Sequence, residues 1–312
     1  MTKFSTDWLT LREPFDHRAR CATWCALDVA AHAARWRSAR PSDPVLAVID
    51  LACGSGANLR ALAPRIGGPQ RWRLIDHDAA LLAAVPQALA GWAQQHAHRI
   101  TNPSDPASAL RIAGAGFSVE LVTEQADLAH GLDAIDWRQA HLVTASALLD
   151  LVSAAWLTGL VRVACDHGAA LLFALSVDGR TAWDPVDVGD AEVHRLFALH
   201  QQRDKGFGDP ALGPAALPLA SRLLAQAGYT VLQARSDWNI TGALAPAMVG
   251  AMVEGMAAAA TEQAPQAADV VQQWKARRMA AVAVSRLSVG HNDIMALPPM
   301  VQGPGPTAGR VP

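Results

Sequence analysis

The chain has 312 residues, a formal net charge of -2 and four cysteines. Its length suits one α/β domain with insertions and allows a large core. The balanced charge leaves no global basic field for sequence-independent nucleic-acid binding, so a small-molecule partner is favoured over DNA or RNA. Four cysteines make no disulfide framework, and MTKFSTDWLT has neither a basic n-region nor an apolar h-region, which predicts a reduced, cytoplasmic setting. Lys3, Lys205 and Lys275 are the only lysines among 26 basic residues, and there is a single Tyr, a bias expected of a high-GC bacterial genome. Residues 243–260 approach membrane-spanning length but include Pro246 and Glu254, so they are expected to form a buried or lid helix with no membrane contact.

Residues 7–40 predict an N-terminal helical extension, spanning 1–40 overall: Trp24, Leu27, Ala31 and Ala34 recur at helical spacing and Pro41 ends the run. VLAVIDLA then reads as a buried parallel strand running into a glycine turn, followed by the helix NLRALAPRI. RWRLID is a second strand and AALLAAVPQALAGWAQQHA a second helix, so the alternation is that of a doubly wound α/β sheet. Residues 99–116 read as a turn-rich surface excursion before strand three, FSVELVT. HLVTAS is strand four, the segment around LVSAAWLTGLVRVAC a helix, and AALLFALSV strand five.

Residues 179–213 read as a polar insertion containing the helix EVHRLFALHQQRD. The helix PAALPLASRLLAQAG leads to strand six, YTVLQARSDW, and helices within 245–286 form a second insertion before a last strand, SVGHNDIMALP. The expected organisation is a seven-stranded sheet in a domain over 41–297, both insertions on its ligand side, and a disordered tail over 298–312.

The segment Asp50, Leu51, Ala52, Cys53, Gly54, Ser55, Gly56, Ala57, Asn58 joins the first strand to its helix. The two glycines permit turn dihedrals and close backbone approach to a ligand. A dinucleotide fingerprint would place a third glycine at Leu59, which disfavours a nicotinamide cofactor. This segment resembles motif I of the class I (Rossmann-like) S-adenosylmethionine-dependent methyltransferases. The resemblance implies S-adenosyl-L-methionine as cofactor, packed over Asp50, Ala52, Gly54, Gly56 and Asn58. It implies that Asp76, with His77 beside it, binds the ribose hydroxyls, as a two-oxygen carboxylate can. Asp78 reads as a helix cap. Asp127 and the Leu128 amide would meet the adenine, and Ala145 and Ser146 would border the adenosine and methionine. Arg20 or Arg12, from an N-terminal helix closing over the site, would meet the methionine carboxylate; Glu13–His17 and Asp16–Arg20 surface pairs are the bland alternative.

The implied chemistry is in-line methyl transfer, dominated by alignment and needing no metal. Cys21 and Cys25 lack the further ligands that a metal or cluster would require. His200, oriented by Asp204 four residues on, is the first candidate base, and Asp150, an acid in an apolar run, the second. His291 and Asp293 read as structural. Trp156, Trp183 and Trp238 favour a small-molecule acceptor over protein or nucleic acid; a non-catalytic cofactor-binding role and a homodimer are left open.

Overall fold

The computed structural model describes residues 5–101, 109–133 and 135–299. Helices α1 (Thr6–Ala26) and α2 (Val29–Ser38) precede β1 (Leu46–Leu51), α3 (Ala57–Ile66), β2 (Gly68–Asp76) and α4 (Ala79–Gln95). Then come β3 (Arg99–Thr101), β4 (Leu110–Gly114), β5 (Phe117–Gln125), β6 (Leu142–Ser146), α5 (Ala154–Asp166) and β7 (Ala170–Asp184). The chain continues with α6 (Asp190–Gln201), α7 (Ala216–Gln226), β8 (Thr230–Arg235), β9 (Trp238–Thr241), α8 (Pro246–Gln263), α9 (Ala268–Ala280) and β10 (Arg286–Leu297).

The strand order is β3-β4-β5-β2-β1-β6-β7-β10-β8, with β9 also paired to β10. The block β5-β2-β1-β6-β7 is parallel, and β10 runs antiparallel to both β7 and β8. From β1 the chain builds outward through β2 to β5, then returns to lay β6 and β7 on the other side. The β1/β6 boundary is therefore the switch point beyond whose carboxyl ends an open α/β sheet holds its ligand.

Alternation in β1 explains its burial on both faces: Val48 joins one core cluster and Ile49 and Leu51 the other. A third cluster, including Trp183, Trp238, Val249, Val253 and Trp274, lies among α6, α8, α9 and the far ends of β7 and β10. No helix among the described residues is long and apolar enough to cross a membrane.

The sheet is larger than the expected seven strands. Residues 99–101 and 110–114, within the segment read as a surface excursion, pair as an antiparallel edge, with Ile100 opposite Ile112. Leu110 and Ile112 are buried and Arg111 is exposed, a short alternation masked by the surrounding turn residues. Residues 179–184, read as part of a polar insertion, continue β7 and pair with β10 from Asp184 opposite Arg286 to Thr181 opposite Val289. Strand six is two strands, interrupted at Ser236, whose amide donates to His291 O at 2.9 Å. The N-terminal helix is also two, because Asp28 takes the left-handed conformation with φ 51°. Most of the tail expected to be disordered, residues 300–312, lies outside the described residues.

Candidate cofactor and acceptor site

The glycine turn lies at the carboxyl end of β1. Ala52, Gly54 and Gly56 have φ of 53°, 55° and 81°, so the two glycines occupy conformations that side chains resist. The Cys53 amide donates to Ile75 O at 3.0 Å, which ties the turn to β2. Asp76 ends β2 almost fully buried; its Oδ2 accepts from the Gly54 amide at 2.8 Å and its Oδ1 from the Asp78 amide at 3.0 Å. His77 Nδ1 lies 3.2 Å from the same Oδ1. Each carboxylate oxygen can accept once more. Asp78 caps α4 through the Ala80 and Leu81 amides.

Beneath the turn is a buried polar network. Asn58 Nδ2 donates to Asp50 Oδ1 at 2.8 Å and to Thr144 Oγ1 at 3.0 Å. Arg20 Nη1, reaching in from α1, donates to Asn58 Oδ1 at 3.1 Å and Ser146 Oγ at 3.3 Å. Burial pushes the Asp50 carboxyl up to about 7 although Asn58 and Arg20 favour its charged form. Its Oδ2 has no hydrogen-bond partner among the described residues. Burial likewise lowers Arg20 from the ordinary guanidinium value. The Asp16–Arg20 surface pair is absent: Arg20 Nε donates to the Asp16 carbonyl at 3.3 Å, while Glu13 receives both Arg60 Nε and Nη2, at 2.8 and 2.7 Å.

Gly54, Asp76, His77 and Ser146 line a narrow cavity of about 100 Å³, covered by Leu9 and Arg12 of α1. Ala145 is buried in β6 and packs into the core. Leu128 is also buried, its carbonyl accepting from Trp156 Nε1 at 2.6 Å. Asp127 is exposed and lines neither this cavity nor the larger one beside it; its Oδ1 accepts from the Ala129 amide at 2.9 Å, and His130 Nδ1 lies 3.0 Å from its Oδ2.

Arg12, Ala147 and Leu151 also line a second, adjoining cavity of about 520 Å³. Its apolar lining includes Trp8 from α1, Phe197 from α6, Trp238 from β9, and Met252 and Met256 from α8. Arg12 Nε donates to Asp16 Oδ2 at 3.0 Å, its guanidinium lies 5.0 Å from the Trp238 ring, and Trp238 Nε1 donates to Asp16 Oδ1 at 3.1 Å. Asp150 lines the same cavity, its Oδ1 shut from bulk solvent without a partner among the described residues. Burial raises its carboxyl to about 6.

The His200–Asp204 pair does not form. The helix ends at Gln201, so the two residues do not share a helical face. His200 Nε2 instead lies 3.1 Å from Glu262 Oε2 of α8. Asp204 Oδ1 accepts the Gly206 and Phe207 amides at 2.8 and 2.9 Å, shaping the loop. Neither residue lines either cavity, whereas Phe197, Gln201, Lys205 and Phe207 from the same stretch do.

His291, read from sequence as structural, lines the larger cavity. Its Nδ1 is 3.1 Å from Val289 O and its ring lies 4.8 Å from that of Trp238. Burial and the nearby Arg12 lower it to about 4, which keeps the imidazole neutral near pH 7. A histidine in an apolar strand carries no local signal of such a position; the cavity is made by α1, α6, α8 and strand ends far apart in sequence.

No family model and no curated protein matches the chain. Among solved structures, it is similar to S-adenosylmethionine-dependent methyltransferases. One, from Geobacter sulfurreducens in complex with S-adenosylhomocysteine, shows 13% identity and a TM-score of 0.38, covering 86% of this chain and 90% of that one. Another, from Thiobacillus denitrificans and also in complex with S-adenosylhomocysteine, shows 14% identity and a TM-score of 0.37, covering 81% and 85%. A mycolic acid cyclopropane synthase shows 11% identity and a TM-score of 0.41, covering 81% and 78%.

Proposed function

We propose that this chain is a methyltransferase that moves a methyl group from S-adenosyl-L-methionine to a small-molecule acceptor by in-line displacement. The observation that carries the reading is the pair of adjoining cavities near the sheet's switch point: the smaller bears the glycine turn and Asp76, the larger is apolar and encloses an unpartnered acid. The residues fit the cofactor's chemistry. Asp76 retains acceptor capacity for a vicinal diol, the positive-φ glycines leave the backbone approachable, and Ser146, with the buried Arg20 behind it, offers a hydroxyl for the amino-acid end. Asp127 and Leu128 are the adenine-side pair in this reading, while Asp50 and Asn58 hold the turn from below. Ligand pockets commonly measure about 300–1,000 Å³, so α1, whose Leu9 and Arg12 roof the smaller cavity, shifts outward as the cofactor enters.

When bound, the sulfonium supplies an activated methyl group. This chain contributes alignment and exclusion of water by α1, α6 and α8, while the Trp8, Trp238 and Met252 side chains hold an apolar acceptor beside Ala147 and Leu151. Incubation with methyl-labelled S-adenosylmethionine and a panel of small-molecule acceptors tests the reading. Label transfer to at least one acceptor is expected; tight binding of S-adenosylhomocysteine without transfer to any small molecule, protein or nucleic acid would mark a non-catalytic binding protein instead.

A further inference from the structure

The acceptor's chemistry can be narrowed by what the larger cavity lacks. Its polar lining includes the Asp150 carboxylate, whose Oδ1 is shut away without a partner among the described residues, so that Oδ2 is the oxygen a ligand can reach. A second acceptor is on His291. A ring nitrogen facing a carbonyl can only donate, so Nδ1 carries the hydrogen toward Val289 O, and Nε2 presents a lone pair. Arg12 could answer an anionic ligand, but its Nε and Nη2 are engaged by Asp16 at 3.0 and 3.3 Å. Beside Arg12 Nη1 and the Gln201 side chain, the cavity thus offers two hydrogen-bond acceptors within aromatic and thioether walls. A buried acceptor left unsatisfied is costly, so the fitting ligand brings a hydrogen.

We infer that the methyl acceptor is an uncharged, largely apolar small molecule bearing a hydroxyl or amine N–H, which donates to Asp150 Oδ2 with His291 Nε2 as the second acceptor. This rests on the methyl-transfer reading above. The acceptor's oxygen or nitrogen lone pair forms the new bond to the methyl carbon, the carbon–sulfur electron pair returns to sulfur, and the O–H or N–H proton passes to the Asp150 carboxylate. Carboxylate acceptors are disfavoured by repulsion from Asp150, the more so as Asp16 already holds two of the Arg12 guanidinium nitrogens, and compounds without a transferable hydrogen leave both atoms unpaired. His291 is a positioning residue, and its neutral form is what lets it accept.

The test uses the full chain and three matched panels of ring-sized compounds: phenols and arylamines, their carboxylate analogues, and analogues with the heteroatom already fully alkylated. Wild type is expected to methylate members of the first panel alone. Asp150→Asn should lower kcat on the best of these by a hundredfold or more, the range for loss of a positioned base. Its affinity for S-adenosylhomocysteine should stay within twofold of wild type. His291→Phe should raise KM for the same compound with a smaller change in kcat. Turnover of either of the other panels, turnover of none of them by protein that binds S-adenosylhomocysteine, or full activity in Asp150→Asn would overturn the inference and leave the methyl-transfer reading standing. Absence of S-adenosylhomocysteine binding in wild type would remove that reading itself. If Asp150→Asn does not fold, the panel result on wild type still decides.

Discussion

Asp50 and His291 are buried titratable groups that bias stability in opposite directions with pH. Burial raises the Asp50 pKa to about 7 from 3.8, so its contribution is fully present below pH 3.8 and is lost as pH rises through about 7. The His291 pKa falls to about 4 from 6.5, so its contribution is present above pH 6.5 and is lost as pH falls through about 4. Asp50→Asn isolates the first effect. Relative to wild type, the variant should gain roughly 1 to 4 kcal/mol at pH 8 compared with pH 5, since each tenfold change in an ionisation constant is worth about 1.4 kcal/mol. Urea melts at the two pH values measure it, and a difference of the opposite sign would mean that Asp50 is ionised and stabilised in the fold. At Gly54, Val would be forced to φ 55° with new bulk at the turn. Heat protection by S-adenosylhomocysteine should vanish in Gly54→Val while the far-ultraviolet circular dichroism of the sheet persists; retained protection would move the cofactor away from this turn.

The turn was legible in the sequence because it follows a continuous apolar strand buried on both faces, and Asp76 because it closes the buried end, Leu74 and Ile75, of the next strand. The edge pair β3–β4 was not, since its short alternation is surrounded by Pro, Ser, Asn and Gly. The extension of β7 through GRTAWD was hidden for a related reason: its early residues are partly exposed, and only pairing with β10 makes them strand. The His200–Asp204 pairing assumed a helix three residues longer than α6, and the loop instead spends Asp204 on its own amides.

At the level of elements, α9 is fixed to α6 by the buried Arg278–Asp190 pair, with Trp274 Nε1 donating to the same carboxylate at 2.8 Å and Arg278 stacked 4.5 Å from the Trp183 ring. Removing one partner of such a pair strands the other. Arg278→Ala should therefore destabilise the protein by about 3 to 5 kcal/mol by chemical denaturation. Because the pair joins α6 to α9 away from the glycine turn, affinity for S-adenosylhomocysteine in the folded variant should change by less than threefold. A stability change under about 1 kcal/mol would show that α9 is held to α6 by the apolar cluster alone.

Across the whole molecule, the architecture gives the two adjoining cavities separate walls, which under the proposed function would hold cofactor and acceptor. The parallel strands present the glycine turn, Asp76 and Ser146 at their carboxyl ends. The antiparallel ribbon of β7, β9 and β10, with α6 and α8, builds the aromatic cavity, and α1 spans both through Arg12. Cofactor affinity should therefore depend on the parallel half and acceptor choice on the ribbon half. Calorimetric titration of S-adenosylhomocysteine into wild type and Asp76→Ala is the most direct measurement of this arrangement. A one-to-one complex with wild type is expected, weakened in the folded variant by about 2 to 4 kcal/mol as charge-assisted bonds to the ribose are lost. No binding to wild type, or equal affinity in the two proteins, would contradict it.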